Sequence, residues 1–397
     1  MINKKWGGIN MLKTQVGSSV LANAKEAGRQ AASEASQGLD KPQIAFVYTN
    51  ANYDQKAVID GVKESLPGAK IIGNTSFSGI VTPKGFVSGD SFVGVMAFSD
   101  DAMRVGVAGS GKKECAFKTG IEVAKAAMSS AGQDKAPNYF YMAASPGEEE
   151  YYLKGITQVI GRVPFFGGSA ADNTISGDWK LFTQDVVTGD GVVVAFFYTE
   201  SAFASVYTGA YAETCKSGII TKLSGDRTLV EIDGIPAVEK YSQWSGKPVD
   251  ALKGGNLLVE TIPNPLGVKD RMGDLVAIRH PMFGNDDGSM NVGNNLAVNT
   301  AVIYMDGSAD TLVASASGTL TELKDKLQKP AAGYLLVHCG GRRVGIGDRM
   351  DEAAAAIQKA AGDVPFIVQF TFGEYGYETD GNNTCGGLML SYTAFAK

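Results

Sequence analysis

The chain has 397 residues, of which 44% are hydrophobic and 20% charged, and its formal net charge is −6. This length exceeds what one ordinary hydrophobic core supports, so we expect a globular protein of two domains. The sequence contains no basic block, which argues against a nucleic-acid-binding surface. It also contains no apolar run of about eighteen residues, so it predicts no membrane span.

The cysteines are far apart in the sequence, at Cys115, Cys215, Cys339 and Cys385. Because no C-x-x-C pair occurs, the spacing excludes a local zinc or redox motif and is typical of a cytoplasmic protein. Cys339 and Cys385 both fall at predicted strand ends, and we interpret them as buried free thiols. Residues 1–10 precede the first regular pattern, and we interpret them as an N-terminal extension.

Two strand–helix–strand units follow one another with equal spacing. Ile44 lies 26 positions before Lys70, and Asn138 lies 26 positions before Pro164. Each pair marks the starts of two apolar strands with an amphipathic helix between them. The sequence therefore predicts an α/β fold, with two domains of mixed β-sheet flanked by helices and an internally duplicated β-α-β unit.

A third copy of the pattern begins at residue 333. It is predicted as a strand at 334–339, a Gly-Gly-Arg-Arg turn, a helix at 351–361, and strands at 364–374 and 387–392. A strand at 311–315 and a helix at 320–327 are predicted ahead of it. A different segment, with a hairpin and a strand at 270–280, separates the second and third copies. We therefore divide the chain into the extension 1–10, a first domain at 11–212 and a second domain at 213–397.

Charged residues follow the predicted strands of the third copy. Arg342 and Arg343 come after a glycine pair, and Glu374 comes after Gly373. A guanidinium group at a strand end can bind a carboxylate or a phosphate with two hydrogen bonds. Glu374 can bind the ammonium group of an amino acid, or it can form a structural ion pair with an arginine. The residues alone leave these two interpretations open.

Other motifs are incomplete. The stretch 106–113 resembles a phosphate-binding loop but lacks the final Ser or Thr, so we interpret it as a turn that leads into a helix. His280 and His338 lack a third ligand, and the sequence predicts no metal site and no cofactor. A ligand contact stays open for either histidine. Ser169, on a glycine turn, and Cys339 are the candidate nucleophiles of an enzyme.

The chain resembles the FIST family, whose members carry paired FIST N and FIST C domains. The N-domain resemblance rests on QIAFVYTNANYD, LPGAKIIGNTSFSGI and GGSAADN. The C-domain resemblance rests on VEIDGIPAVEKYSQW, VHCGGRR and FTFGEYG followed by NNT. Several dispersed motifs in the family's order cover nearly all of the chain from Met11 to Ala396.

The resemblance implies a sensory domain of bacterial signal transduction that binds a small ligand, expected to be an amino acid or a related carboxylate metabolite. It implies no catalytic residue, so a hydrolase or transferase using Cys339 or Ser169 stays the alternative. A separate signalling protein is the expected partner, because the chain has no room for an attached output domain. The predicted ligand-binding residues are Arg342, Arg343, Gly341, Glu374, Cys339, Asn383, Asn74, Thr75 and Ser76.

Overall fold

The computed structural model describes residues 11–269, 275–378 and 381–397. The predicted extension 1–10 and the first five residues of the predicted strand 270–280 lie outside these ranges. The described residues form mixed β-sheets flanked by helices, which confirms the predicted α/β class. Within them, no helix is long and apolar enough to cross a membrane.

The first unit, residues 13–99, contains the first of the predicted strand–helix–strand repeats. Its elements are β1 (Lys13–Ser19), α1 (Ala24–Ala35), β2 (Ile44–Thr49), α2 (Gln55–Ser65), β3 (Lys70–Thr75), β4 (Ile80–Thr82), β5 (Gly85–Val87) and β6 (Val93–Ser99). Strands β2 and β3 are parallel, with Ile44 opposite Lys70. All six residues of β2 are buried, as expected for a strand covered on both faces.

The second unit, residues 104–198, repeats this order. Its elements are β7 (Arg104–Gly111), α3 (Ala116–Ala131), β8 (Tyr139–Ala144), α4 (Glu149–Ile160), β9 (Phe165–Ser169), β10 (Leu181–Thr183), β11 (Val187–Thr188) and β12 (Gly191–Tyr198). Strands β8 and β9 pair in parallel, which confirms the duplication. Strand β7 runs through Gly111, so the turn predicted at 106–113 is wrong up to Gly111, and the lead into α3 begins after it.

The inserted segment, residues 212–306, separates the first strand of the third unit from the rest of that unit. Its elements are β14 (Ala212–Ser224), β15 (Thr228–Ile232), β16 (Ile235–Pro236), α5 (Ala237–Ser245), α6 (Asn256–Glu260), β17 (Leu266–Lys269), β18 (Val276–Arg279), β19 (Pro281–Gly284), β20 (Met290–Val292) and β21 (Ala301–Asp306). The predicted hairpin forms between β14 and β15.

The third unit comprises residues 203–208 and 309–396. Its elements are β13 (Phe203–Thr208), α7 (Ala309–Leu327), β22 (Ala331–Cys339), α8 (Gly340–Ile346), α9 (Met350–Ala361), β23 (Phe366–Thr371), β24 (Glu374–Tyr377), β25 (Asn383–Gly386) and β26 (Leu390–Ala396). The predicted strand at 311–315 was wrong, because Ser308 caps a continuous helix there. The predicted Gly-Gly-Arg-Arg turn is the first turn of α8.

The three units exchange β-hairpins in a closed cycle. The β10–β11 hairpin of the second unit extends the first sheet at β3, and the β24–β25 hairpin of the third unit extends the second sheet at β9. The β4–β5 hairpin of the first unit extends the third sheet at β23. One apolar cluster therefore joins residues from all three units, including Phe46, Tyr141 and Leu335. The predicted boundary at 212–213 stays a prediction.

Candidate functional site

A cavity of about 270 Å³ lies where the three units meet the inserted segment. Four of its lining residues come directly or almost directly after parallel strands: Phe77 after β3, Pro146 after β8, Cys339 at the end of β22, and Phe372 after β23. The carboxyl ends of parallel strands are the usual place for ligand binding in α/β proteins. This cavity is therefore the candidate site.

One side of the cavity is aromatic. The ring centroids of Phe77 and Phe372 lie 5.5 Å apart, and those of Trp179 and Phe372 lie 6.1 Å apart at right angles. The indole Nε1 of Trp179 donates a hydrogen bond to the Gly189 carbonyl, so the polar atom of this side chain already has a partner. The aliphatic lining residues are Ile175, Leu258, Val292, Val344 and Leu388.

The loop that carries Ile175 is held in one conformation by a buried carboxylate. Asp172 accepts hydrogen bonds from four backbone N–H groups, at residues 174, 176, 177 and 178. Ile175 has a φ of 57°, which is unusual for a β-branched residue and costs free energy. The side chain is about half exposed at the cavity wall. The loop therefore holds a strained residue in place beside the cavity.

The polar end of the cavity is formed by Arg227 and Asn294 of the inserted segment. Arg227 Nη2 lies 3.0 Å from Glu149 Oε2 and also pairs with Glu150. Arg227 Nη1 donates a hydrogen bond to the Gly293 carbonyl. Asn294 Nδ2 donates to Glu149 at 3.2 Å and to Glu150 at 3.3 Å. These contacts tie the inserted segment to the start of α4.

This polar cluster has more acidic than basic charge. Burial, and then the neighbouring Glu150 carboxylate, raise the pKa of Glu149, while Arg227 opposes the shift. One guanidinium group faces two carboxylates, and the pKa of Glu149 is raised to about 7, so the net charge of the cluster lies between zero and −1 near neutral pH. An unaccompanied anion is consequently a poor electrostatic match for this end of the cavity.

His280 and Cys339 both line the cavity on the side of Gly341, which we call the floor. His280 Nε2 donates to the Leu258 carbonyl at 2.8 Å, which leaves Nδ1 as the acceptor of a neutral ring. Burial lowers the pKa of His280 to about 4. Cys339 Sγ accepts hydrogen bonds from the backbone N–H groups of Gly341 and Leu388, and burial raises the pKa of this thiol. Both residues are uncharged near neutral pH.

The structure places Arg342 away from the cavity, in a fully buried position. Its guanidinium group donates to the carbonyls of Gly209 and Leu388 and to the hydroxyl of Ser315. It also lies over the Tyr211 ring, 5.6 Å from the centroid. Its Nε has no hydrogen-bond partner among the described residues, but the side chain does not line the cavity, so a ligand contact of Arg342 stays a prediction.

Arg343 and Glu374 do not meet as the predicted ion pair within the described residues. The Arg343 guanidinium group lies over the Phe86 ring, 5.0 Å from its centroid. Glu374 is fully buried, and its carboxyl group accepts hydrogen bonds from Thr371 Oγ1 at 2.7 Å and from the Met389 N–H at 2.9 Å. Burial raises the pKa of Glu374 to about 8. Neither side chain lines the cavity.

Asn74 forms a triangle of hydrogen bonds with Tyr141 and Gln369, one side chain from each unit. We call these three residues the three-sheet junction. Tyr141 OH donates to Asn74 Oδ1 at 2.9 Å, and Asn74 Nδ2 donates to Gln369 Oε1 at 2.8 Å. Gln369 Nε2 donates back to Tyr141 at 3.2 Å, and all three residues are fully buried. Thr75 and Ser76 are also buried and bonded to backbone groups. These side chains join the sheets.

Two other predicted residues lie elsewhere. Asn383 borders a separate groove of about 370 Å³ beside α4 and donates to the Val163 carbonyl. Ser169 is fully buried, and its hydroxyl forms a 2.7 Å hydrogen bond with Tyr375 OH.

Cys339 and Gly341 are thus the predicted site residues that line the cavity. In the described part of the chain, no group of three or more His, Cys, Asp or Glu side chains is arranged to hold a metal ion.

Sequence reasoning missed Arg227, Asn294 and the aromatic wall. The available signal was local: Arg227 follows the Ser-Gly-Asp turn of the predicted hairpin, and Asn294 follows Gly293. Polar residues in such turns are common, and their partner Glu149 is distant in the sequence. No pattern in the sequence connects them.

Comparison with known proteins gives a family match over most of the chain. The FIST N domain model matches residues 43–235, and the FIST C domain model matches residues 237–377. No curated protein matches the sequence.

Solved structures give a weaker likeness. Cyanuric acid hydrolase from A. caulinodans is 9% identical, with a TM-score of 0.36 over 98% of this chain and 100% of that chain. Another cyanuric acid hydrolase is 10% identical, with a TM-score of 0.34 over 97% and 100%. PurLQS from Thermotoga maritima is 11% identical, with a TM-score of 0.23 over 97% and 73%. These scores carry no argument about activity.

Proposed function

The chain belongs to the FIST family, whose domains are sensory, small-ligand-binding domains of signal transduction, and we propose that it binds an amino acid in the cavity described above. The observation that carries this proposal is the polar end, where the arginine side chain of Arg227 is compensated by Glu149 and Glu150. Glu149 and Glu150 hold Arg227 and do not line the cavity themselves. A zwitterion offers its carboxylate to Arg227 and its ammonium group to Asn294 Oδ1, and it adds no net charge.

The size and lining of the cavity fit a small metabolite. Its volume of about 270 Å³ lies just below the range of roughly 300–1,000 Å³ that holds drug-sized ligands. The wall is mostly apolar, and the polar groups are concentrated at Arg227, Asn294 and His280. This division suits a ligand with a polar head and an apolar side chain.

The way in which binding is read out also belongs to the proposal. The inserted segment supplies the polar end, and the third unit supplies the floor, so a ligand contacts both. Ligands between two bodies commonly shift their relative position. We assign the readout to a separate signalling protein in a reducing bacterial cytoplasm, where the free thiols of Cys339 and Cys385 are stable.

Isothermal titration calorimetry with a panel of amino acids tests the proposal. Each amino acid is paired with its deaminated acid, which keeps the carboxylate and loses the ammonium group. We expect at least one amino acid to bind and its deaminated acid to bind more weakly, because the cluster disfavours a lone anion. Absence of binding heat for every amino acid, or tighter binding of the deaminated acids, would refute it.

A cavity-filling variant locates the binding site. A Cβ on Gly341 would lie 2.7 Å from Leu388 Cδ2, 3.6 Å from Cys339 Sγ and 3.7 Å from His280 Cε1. Gly341→Ala should therefore lower ligand affinity several-fold. Gly318→Ala is the matched control, because it is also helical and its Cβ would meet no atom within 4 Å. Equal affinity in both variants would place the ligand elsewhere.

A further inference from the structure

The aromatic wall specifies more about the ligand than the polar end does. We propose that the bound amino acid carries an aromatic side chain, which packs against Phe77, Trp179 and Phe372. This inference rests on the proposed function, since the polar end orients the ligand and the wall selects its side chain. It adds a chemical class that amino-acid binding alone leaves open.

The three rings come from distant parts of the chain and converge on one side of the cavity. Phe77 follows β3 of the first unit, Trp179 precedes β10 of the second, and Phe372 follows β23 of the third. Their centroid separations of 5.5 Å and 6.1 Å fall within the range of favourable aromatic pairs. Another ring can join such a cluster in an edge-to-face or offset arrangement.

A glycine permits this convergence. A Cβ on Gly340 would lie 3.2 Å from Phe77 Cδ1 and 3.3 Å from Phe372 Cε1, which is closer than most real Cβ contacts. The backbone at the start of α8 therefore touches the edges of both rings. Backbone packing at Gly340 therefore helps to position the two rings.

Other walls of the cavity also suit an aromatic ring. Met282 lines the cavity, and its Sδ would lie 3.4 Å from a Cβ on Gly293, so the thioether lies beside the polar end. Thioether sulfur makes favourable contacts with aromatic rings. Asn294 and Arg227 are at the same end, which allows a polar head and a ring to be bound together.

The test compares L-phenylalanine with cyclohexylalanine by calorimetry on the full chain. The two ligands share the polar head and have similar bulk, but only phenylalanine has a π-system. We expect phenylalanine to bind about 3- to 10-fold more tightly, as favourable ring contacts predict. Equal or tighter binding of cyclohexylalanine, or binding restricted to aliphatic amino acids, overturns this inference and leaves the proposed function intact. Absence of binding by any amino acid overturns both.

Variants of the wall identify the rings responsible. Trp179→Leu and Phe372→Leu should each reduce the preference for phenylalanine over cyclohexylalanine, whereas Phe283→Leu should not. Phe283 is the matched control, since it is 45% exposed and does not line the cavity. A preference that persists in both wall variants overturns the assignment. If either variant fails to fold, the ligand comparison on the native chain still decides the question.

Discussion

The three-sheet junction and the cavity both contain buried polar side chains, but their hydrogen bonding differs. At the junction, the fully buried Asn74, Tyr141 and Gln369 bond to one another. At the cavity, Asn294 donates to Glu149, while no hydrogen bond to its Oδ1 is formed by the described residues. Complete mutual bonding is typical of structural groups, and polar groups beside open space are typical of binding sites.

Arg342 extends the same comparison, because its side chain is fully buried and its two terminal nitrogens bond to the protein, while its Nε has no partner among the described residues. Arg342→Ala removes the donors to the Gly209 and Leu388 carbonyls and leaves a hole in the core. We expect the free energy of unfolding to fall by about 3 to 5 kcal/mol, measured by urea denaturation. Ligand affinity of the folded fraction should be unchanged.

Arg349→Ala is the control for this variant. Arg349 is exposed and pairs with exposed Asp310 and Glu352, so its loss should change the free energy of unfolding by at most about 1 kcal/mol. If Arg342→Ala abolishes binding at unchanged stability, Arg342 is a ligand residue and the comparison fails.

Asn74 tests the junction itself. Asn74→Ala leaves Tyr141 OH and the Gln369 side chain short of partners in a buried place. We expect a loss of about 2 to 3 kcal/mol in the free energy of unfolding. Asn52→Ala, at an exposed position, should show almost no loss in the same denaturation experiment. Equal stability of the two variants would contradict a structural role for the triangle.

Buried Glu374 makes the free energy of unfolding depend on pH. Its pKa is raised from the ordinary value of 4.5 to about 8, so between these values the native chain holds a proton that the unfolded chain releases. This group therefore lowers stability by about 1.4 kcal/mol for each unit that pH rises through that window. Cys339 and Arg342 are the ionisable side chains that act on the Glu374 carboxyl group, and both oppose the rise in its pKa.

The variant Glu374→Gln should remove this contribution. Its stability relative to the native chain should increase from pH 5 to pH 8 in urea unfolding measured at each pH. Glu114→Gln, at an exposed position, should show no such trend. A pH-independent difference for Glu374→Gln would mean that the native carboxyl group is ionised throughout.

Asp172 tests the cavity. Here we expect a substitution to cost little stability and to lower ligand affinity, the reverse of the expectation for Arg342. Asp172→Ala frees the four N–H groups of the loop that holds Ile175. Because the loop residues are exposed, water replaces most of these bonds, and we expect a loss of only about 1 to 2 kcal/mol. Ligand affinity should fall several-fold in calorimetry. Asp178→Ala, in the same loop, should keep affinity; an affinity loss in both variants would point to a general loop effect.

The repeated scaffold was predictable because its signals are local. Apolar runs, helix caps such as Asp54 and the equal offsets determine where strands and helices form. The third copy was found by the same pattern, and its helix at 351–361 is confirmed as part of α9. The strand predicted at 311–315 was wrong, because the Ser308 cap starts a helix that runs through these residues to Leu327.

The candidate site was less predictable, because partners rather than residue types decide what a polar side chain does. Cys339 and Gly341 were identified by their position at a strand end and do line the cavity. Arg342 was identified by the same rule, yet its side chain bonds inside the core. A strand-end rule locates a backbone position and does not determine the direction of the side chain.

The α/β units, their duplication and the family follow from the amino-acid sequence alone, since each depends on patterns within a few tens of residues. Which arginine lines a cavity depends on contacts between distant parts of the chain. Arg342 finds its partners 133, 27 and 46 positions away, and Arg227 finds Glu150 at 77 positions. Hairpin exchange among the three sheets brings such residues together, and no local pattern encodes those distances.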